Sequence, residues 1–338
     1  MNMPATNQQI QLAARPTGFP KPTDFRLVEG PVPQPGDGQF LVGISYLSVD
    51  PYMRGRMNAA RGYADPQKLD ETMGGGAVGK VLASRHRDFA EGEYVMGMFG
   101  WQQYALSDGA GVMKVDPQAA PISTSLGVLG MPGLTAYFGL FDVCAPRPGE
   151  TVVVSGAAGA VGSTVGQIAR IAGCRVVGIA GSDDKIRWIT EDLGFDAGLN
   201  YKTESLARLK ELCPNGIDCY FDNVGGDTAD AVFPLMNPHG RVAVCGQISL
   251  YNLEKMGSGP RLLLLMVLIR TLMVKGFLVF QYAQRYPEAL AQLTEWYREG
   301  KLKYRETVAE GIENAVAAFL GMLRGENIGK QLVKISDL

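Results

Sequence analysis

The chain has 338 residues, of which 46% are hydrophobic and 20% charged, and its net charge is −2. That composition supports ordinary globular cores and argues against disorder. With no block of like charges, the chain lacks the basic stripe that nucleic acid or an acidic membrane surface would require.

The opening "MNMPATNQQI" is polar and lacks the basic-then-apolar pattern of a secretion signal. From there to about residue 130 the sequence is rich in Gly and Pro. The runs "QFLVGISYLSVD", "GGGAVGKVLAS", "GEYVMGMFGWQQYALS" and "VMKVD" read as strands joined by turns, which predicts a small, irregular β domain. After "LGMPGLTAYFGLFDVCAPRPGE" strand and helix signals alternate. "TVVVSG" and "STVGQIARIAG" form one pair, "RVVGIAG" and "DDKIRWITEDLG" the next, then "AGLNY" and "ESLARLKELC". "GIDCYFDNVGG", "ADAVFPLMN" and "GRVAVCGQIS" continue the series. Such alternation predicts a parallel sheet covered by helices on both faces, an α/β fold.

The most apolar run is "RLLLLMVLIRTLMVKGFLVF", residues 261–280. Its uninterrupted part, Leu262 to Ile269, is only eight residues before Arg270, too short to span a bilayer. A buried helix followed by a buried strand is expected there. The tail adds a helix, "IENAVAAFLGMLRG", and a strand, "KQLVKI". The domains expected are residues 1–130, completed by 304–338, and residues 131–303. Cys144, Cys174, Cys213, Cys219 and Cys245 show no paired spacing and are odd in number. Reduced thiols, a cytoplasmic location and no membrane association follow as expectations.

Within "TVVVSGAAGAVGSTVGQ" the spacing is Ala157-x-Gly159-x-x-Gly162, with alanine where a dinucleotide fingerprint has its first glycine. The motif alone is weak. A strand before it, an amphipathic helix after it and a second strand at the right distance strengthen it. The helix N-terminus would offer free N–H groups to a pyrophosphate; the plainer alternative is a tight strand–helix turn. The second strand ends in "GIAGSDDK" rather than in the acidic residue that binds an NAD ribose. Ser182 and Lys185 suit a 2′-phosphate, which favours NADP(H). Lys185 also reads as a solvated helix lysine, and Asp183 and Asp184 as first-turn residues of that helix.

The chain has only two histidines, His86 in "SRHRD" and His239 in "NPHG". Neither has a Cys or Glu partner at ligand spacing, no four-cysteine cluster exists, and no serine sits in a nucleophile elbow. No metal site is expected, and the chemistry is assigned to a cofactor with polar side chains such as tyrosine.

At "SVDPYMRGRM", "GMPGLTAYFGL", "AAGAVGSTVGQIAR", "GCRVVGIAGSDDK", "CYFDNVGG", "CGQISLYN" and "GENIGKQLV" the chain resembles the zinc-free medium-chain dehydrogenase/reductases. It is most similar to their NADPH-dependent enone and alkenal reductases, a branch that includes prostaglandin reductases, plant double-bond reductases and bacterial curcumin reductases. The likeness runs from about Asp50 to Lys334. It implies a GroES-like β-rich catalytic domain and a Rossmann doubly wound parallel-sheet domain.

The resemblance also implies roles. Gly159, Ala160, Val161 and Gly162 would cover the pyrophosphate. Ser182, Lys185 and Tyr201 would surround the 2′-phosphate and adenosine. Asn223, Cys245, Gly246, Ile248, Ser249, Phe277, Leu278 and Val279 would line the ribose and nicotinamide, and Asn327 would reach the cofactor from the tail. Tyr251 would donate to the enolate that develops when hydride reaches the β-carbon of an α,β-unsaturated carbonyl substrate. Tyr52, Tyr63 and Met131 would form the substrate wall; Arg54 matches the motif and alternatively fastens its loop. The family commonly forms homodimers through the Rossmann sheet edge, here "MVKGFLVF". An NADPH quinone oxidoreductase and a non-catalytic NADPH-binding protein are the competing functions.

Overall fold

The strand and helix signals can be set against the computed structural model, which describes residues 6–60, 62–254 and 261–338. The first five residues of the opening segment lie outside them. Residues up to Leu126 form one compact unit with Glu306–Leu338, and Gly127–Arg305 form the other.

The first unit begins with two strands that the sequence pattern did not reveal, Thr6–Leu12 (β1) and Phe25–Pro31 (β2), paired antiparallel in a sheet of their own. Glutamines on β1 and a Gly-Pro end on β2 blur the alternation that marks a strand. Phe40–Ser48 (β3), Ala77–Ser84 (β4), Tyr94–Gly97 (β5), Tyr104–Ser107 (β6) and Met113–Val115 (β7) follow, with the one short helix Tyr52–Arg56 (α1) between β3 and β4. Phe40, Ile44, Leu47, Met53 and Trp101 are fully buried. Trp101 stacks on Phe25, ring centroids 6.2 Å apart.

The second unit opens with Met131–Phe138 (α2). Its strands are Thr151–Ser155 (β8), Arg175–Ala180 (β9), Ala197–Asn200 (β10), Ile217–Asp222 (β11), Met236–Val244 (β12) and Met273–Gly276 (β13). All pair in parallel, in the order β10-β9-β8-β11-β12-β13. This is the strand order of the doubly wound dinucleotide-binding fold, with the reversal of direction between β8 and β11. The helices between strands are Ala160–Ile171 (α3), Asp183–Arg187 (α4), Leu209–Leu212 (α5), Gly226–Val232 (α6) and Arg261–Ile269 (α7); Tyr286–Arg298 (α8) follows the sheet. β8 is buried on both faces, as a central strand of β-branched residues should be. Helix α3 lies close against Phe195, because a methyl at Gly166 would overlap that ring.

The helix and strand expected from residues 261–280 form, but their burial differs from expectation. All four residues of β13 are exposed, as are Leu264, Leu265, Leu268 and Ile269 of α7. Among the described residues β13 is an edge strand with no neighbour on its outer side, and α7 packs on the core through Leu263, Met266 and Val267.

In the tail, Glu306–Glu310 (β14), Ala315–Leu323 (α9) and Lys330–Lys334 (β15) belong to the first unit. Its main sheet has seven strands in the order β14-β15-β3-β4-β5-β7, with β6 paired to β3. Phe319 of α9 meets Trp101 edge-on at 5.8 Å.

Candidate active site

The glycine-rich turn joins β8 to α3. Gly156 takes a φ of +60°, a conformation that L side chains rarely adopt. A methyl at Gly162 would collide with the Gly156 carbonyl oxygen and lie 2.9 Å from Ala157 Cα. Gly162 therefore lets the start of α3 rest on the turn. Gly159 precedes the helix in an extended conformation, and no side chain caps it. The first-turn N–H groups, at Ala160, Val161 and Gly162, have no carbonyl behind them in the helix and carry its positive end. A pyrophosphate fits that cradle.

The end of β9 leads into α4 through Gly181 and Ser182. The Ser182 hydroxyl accepts from Lys185 N at 3.3 Å and so starts α4. Asp183 accepts from Asn200 Nδ2 at 2.7 Å, and Asp184 pairs with Arg187, so both acids are engaged within the loop region. The Tyr201 ring covers Gly181, where a methyl would come within 2.9 Å of it. Burial, and then the charge of Lys202, lower the pKa of Lys185. Tyr201 lies against a strand end where Asp183 and Asp184 are engaged, with Lys185 and Lys202 in the adjoining turns, a set of residues that fits a 2′-phosphate.

The third cluster lies at the ends of β11 and β12. Asp222 is buried, and its Oδ1 accepts from Ser155 Oγ (3.0 Å), Tyr220 Oη (2.8 Å), Val224 N (3.0 Å) and Gly225 N (2.8 Å). Its Oδ2 accepts from Gln247 Nε2 at 2.9 Å, and its backbone oxygen from the N–H groups of Cys245 and Gly246. Asn223 clamps the end of β8, taking Ser155 Oγ on its N–H and donating from Nδ2 to Ser155 O at 2.8 Å. Ile248 N donates to Asn223 O, and Ser249 Oγ to Val224 O at 2.6 Å.

The turn held in this way carries Tyr251. Its hydroxyl accepts from Gln247 N at 3.3 Å, which leaves the phenolic proton for another acceptor. Burial raises the Tyr251 pKa, and the backbone donor opposes that rise. Burial, and then Asp222, push the Cys245 thiol up to about 12, so it stays protonated. The Phe277 ring is buried against Phe221, centroids 6.1 Å apart, so only its backbone is suited to a ligand. Leu278 and Val279 are half-buried, and Leu278 N donates to Gln281 Oε1 at 3.2 Å. Met131, in the same unit, is an exposed residue in the first turn of α2.

In the first unit, Tyr52 opens the chain's short helix α1. Burial, Asp50 and Tyr63 raise its pKa, which brings the two tyrosines within electrostatic reach of each other; Tyr63 itself is exposed. Arg54 is buried, donating to Asn58 Oδ1 at 2.7 Å and to Gly18 O at 2.8 Å, so it fastens its loop. The buried Lys330 ammonium holds the segment before α1, lying 2.8 Å from Val49 O and 3.2 Å from Asp50. Asn327 donates from Nδ2 to Gly329 O at 2.8 Å, closing its own turn.

Comparison with known proteins bears on this arrangement. A model of the N-terminal domain of oxidoreductases matches residues 8–115, and one described as zinc-binding dehydrogenase matches residues 160–295. The NADPH-dependent curcumin reductase of Escherichia coli is 46% identical, the match covering 98% of this chain and 97% of that protein. The chain belongs to the zinc-independent medium-chain dehydrogenase/reductases, in their enone reductase branch. Among other members, the NADP(+)-dependent 2-alkenal reductase of Nicotiana tabacum is 42% identical over 98% of both chains. The crystal structure of CurA from Vibrio vulnificus with NADPH superposes with a TM-score of 0.94, at 46% identity, covering 98% of this chain and all of that one. As in this family, the α/β fold combines a Rossmann domain with a GroES-like β-rich domain.

The second model's description names zinc, and both histidines of this medium-chain reductase have other partners. His86 Nδ1 accepts from Asp88 N at 3.0 Å, and His239 Nδ1 lies 3.1 Å from Thr271 Oγ1. Among the described residues no three His, Cys, Asp or Glu side chains gather as a metal site. The residues that sequence reasoning missed are Asp222, Gln247 and Lys202. Asp222 and Gln247 stood inside quoted motifs beside chosen neighbours, and Lys202 directly follows Tyr201. For Asp222 and Gln247 the deciding contacts span 67 residues to Ser155 and 25 residues between the two, which one sequence does not display; Lys202 is set apart by its charge acting on Lys185.

Proposed function

We propose that this protein reduces the C=C bond of α,β-unsaturated ketones and aldehydes with NADPH, curcumin-like enones among them. It is an NADP-dependent oxidoreductase, and NADP(H) is its cofactor. The observation that carries the finer reading is Tyr251, held at the C-terminal end of β12 with its hydroxyl accepting from Gln247 N–H. Open α/β sheets place ligands at such strand ends.

NADPH, when bound, supplies hydride to the β-carbon. Negative charge then grows on the carbonyl oxygen, and a donor aimed at that oxygen lowers the barrier. Tyr251 supplies the donor. Its raised pKa keeps the phenol protonated across the neutral range, so it donates a hydrogen bond throughout, and solvent delivers the proton to the α-carbon. Gly159 to Gly162 hold the pyrophosphate, Ser182, Lys185 and Tyr201 the 2′-phosphate end, and Asn223 with residues 245–249 the nicotinamide ribose. Asn327 supports the cofactor from the tail. Tyr52, Tyr63 and Met131 present apolar surface to a flat conjugated substrate.

Two further features belong to the same reading. The exposed edge β13 and the outer face of α7 support a homodimer, because an open edge flanked by exposed Leu264, Leu265, Leu268 and Ile269 is a ready pairing surface. The five free cysteines suit the reducing cytoplasm. No helix among the described residues is long and apolar enough to cross a membrane.

The test is NADPH oxidation with a 2-alkenal, a benzylidene ketone, curcumin, a quinone and a saturated aldehyde, comparing wild type with Tyr251→Phe. Turnover of the enones alone is expected, reduced about 100-fold in the variant with NADPH binding intact. Equal enone turnover in both proteins would remove Tyr251 from the mechanism, and a quinone-only profile would overturn the substrate class.

A further inference from the structure

Lys202 follows Tyr201 directly after β10 and is exposed. Tyr201 N donates to Ala180 O at 3.1 Å, so the turn that bears Lys202 lies beside the end of β9 that leads to Lys185; burial, and then the charge of Lys202, lower the Lys185 pKa. The nearby acids have partners of their own. Asp183 is bonded to Asn200, Asp184 to Arg187 and Glu204 to Arg208. A phosphate monoester, carrying nearly two negative charges, is the ligand chemistry that two adjacent lysines favour.

Asn200 makes this arrangement. It is buried at the end of β10, in register with Ala180 of β9. Its Nδ2 donates to Asp183 Oδ1 at 2.7 Å, while its Oδ1 accepts from Lys202 N at 3.1 Å. Its backbone oxygen accepts from Thr203 N and Glu204 N, which closes the turn bearing Tyr201 and Lys202. One side chain thus holds the carboxylate of Asp183 and the backbone at Lys202. An acid at this strand end is what binds the 2′-hydroxyl in NAD sites, and it would repel a 2′-phosphate.

We propose that Lys202 is a second cation on the 2′-phosphate of NADP(H), and that Asn200 is the positioning residue that holds Lys202 toward that phosphate and Asp183 at its own amide. This rests on the NADP(H) assignment above and names two residues that give the site its preference.

Calorimetric titration of the full chain with 2′,5′-ADP and with 5′-AMP tests it without any turnover. Wild type should bind 2′,5′-ADP more tightly. Lys202→Ala should weaken 2′,5′-ADP about tenfold, as for one charge-assisted contact, and shift 5′-AMP by less than about twofold. Lys202→Arg should keep most of the preference. Asn200→Ala should lower the ratio by a similar factor, and adding Asp183→Ala to it should recover part of the loss. That recovery is a response that mere loosening of the fold would not give. An unchanged ratio in Lys202→Ala, or equal losses for both ligands, would overturn the proposal. A wild type that does not discriminate between the two ligands would instead overturn the NADP(H) assignment itself.

Discussion

Gly162→Ala tests whether the turn is built for close approach. The added methyl would collide with Gly156 O and lie 2.9 Å from Ala157 Cα, about 0.5 Å short of ordinary contact at 3.4 Å. Both obstacles are backbone, so no side chain can swing aside. The start of α3 must lift, at a cost of about 1–3 kcal/mol for an overpacked core position. Alanine returns up to about 1 kcal/mol through its better helix propensity. The net expectation is a loss of about 0–2 kcal/mol in denaturant unfolding. NADPH affinity should fall further, by about tenfold or more, because the first-turn N–H groups move with the helix. Gly55→Ala in α1 is the control, since a methyl there meets nothing within 4 Å. It should be neutral or stabilising and leave NADPH affinity alone. A Gly162→Ala protein as stable as wild type and binding NADPH within twofold would refute the argument.

Three other outcomes are expected. Asp222→Ala strands buried donors at Ser155, Tyr220 and Gly225, and should cost at least about 3 kcal/mol in denaturant unfolding; a loss under about 1 kcal/mol would show that the carboxylate is not the organiser of the β11–β12 turns. The preference for NADPH over NADH should fall with rising pH as Lys185 loses its proton. Because burial and Lys202 lower that pKa, the fall should start below the ordinary lysine value of about 10.4, and it should be absent in Lys185→Met; dissociation constants measured between about pH 7 and 10 decide it. Leu268→Glu, at a residue 73% exposed, should turn a dimer into monomer in light scattering without changing the fold; a wild-type monomer, or a variant dimer of unchanged strength, would refute pairing through this face.

What could be read from the sequence depended on the range of the interactions. The parallel sheet was legible because each strand–helix pair is local: "TVVVSG" and "RVVGIAG" carry their own burial pattern, and β8 and β9 form where they stand. β1 was not legible, since its glutamines bond across to Gln102, Gln103 and Glu29 rather than showing an apolar face. The burial of β13 and α7 was misjudged because apolar content reports what should avoid water and not which surface covers it. Of the site, the glycines and Tyr251 could be picked out by motif. Asp222 could not, because two of the five donors to its buried carboxylate, Ser155 and Gln247, stand 67 and 25 residues away.

The departure from the fingerprint at Ala157 has a physical reason of the same long-range sort. Ala157 is fully buried, and its methyl lies where a side chain on Gly178 of β9 would be, 2.9 Å from that position. A methyl at Gly178 would also meet Phe195 at 3.0 Å, so the strand has no room for one even without Ala157. Gly178 leaves room for the Ala157 methyl, while Ile189 and Phe195 would exclude a Cβ there in any case. The turn keeps its tight path through Gly156, whose positive φ needs glycine, and keeps its approach to α3 through Gly162. What a pyrophosphate requires is an uncapped helix N-terminus over a turn without side chains in the way, and Ala157, its methyl buried against β9, is compatible with that.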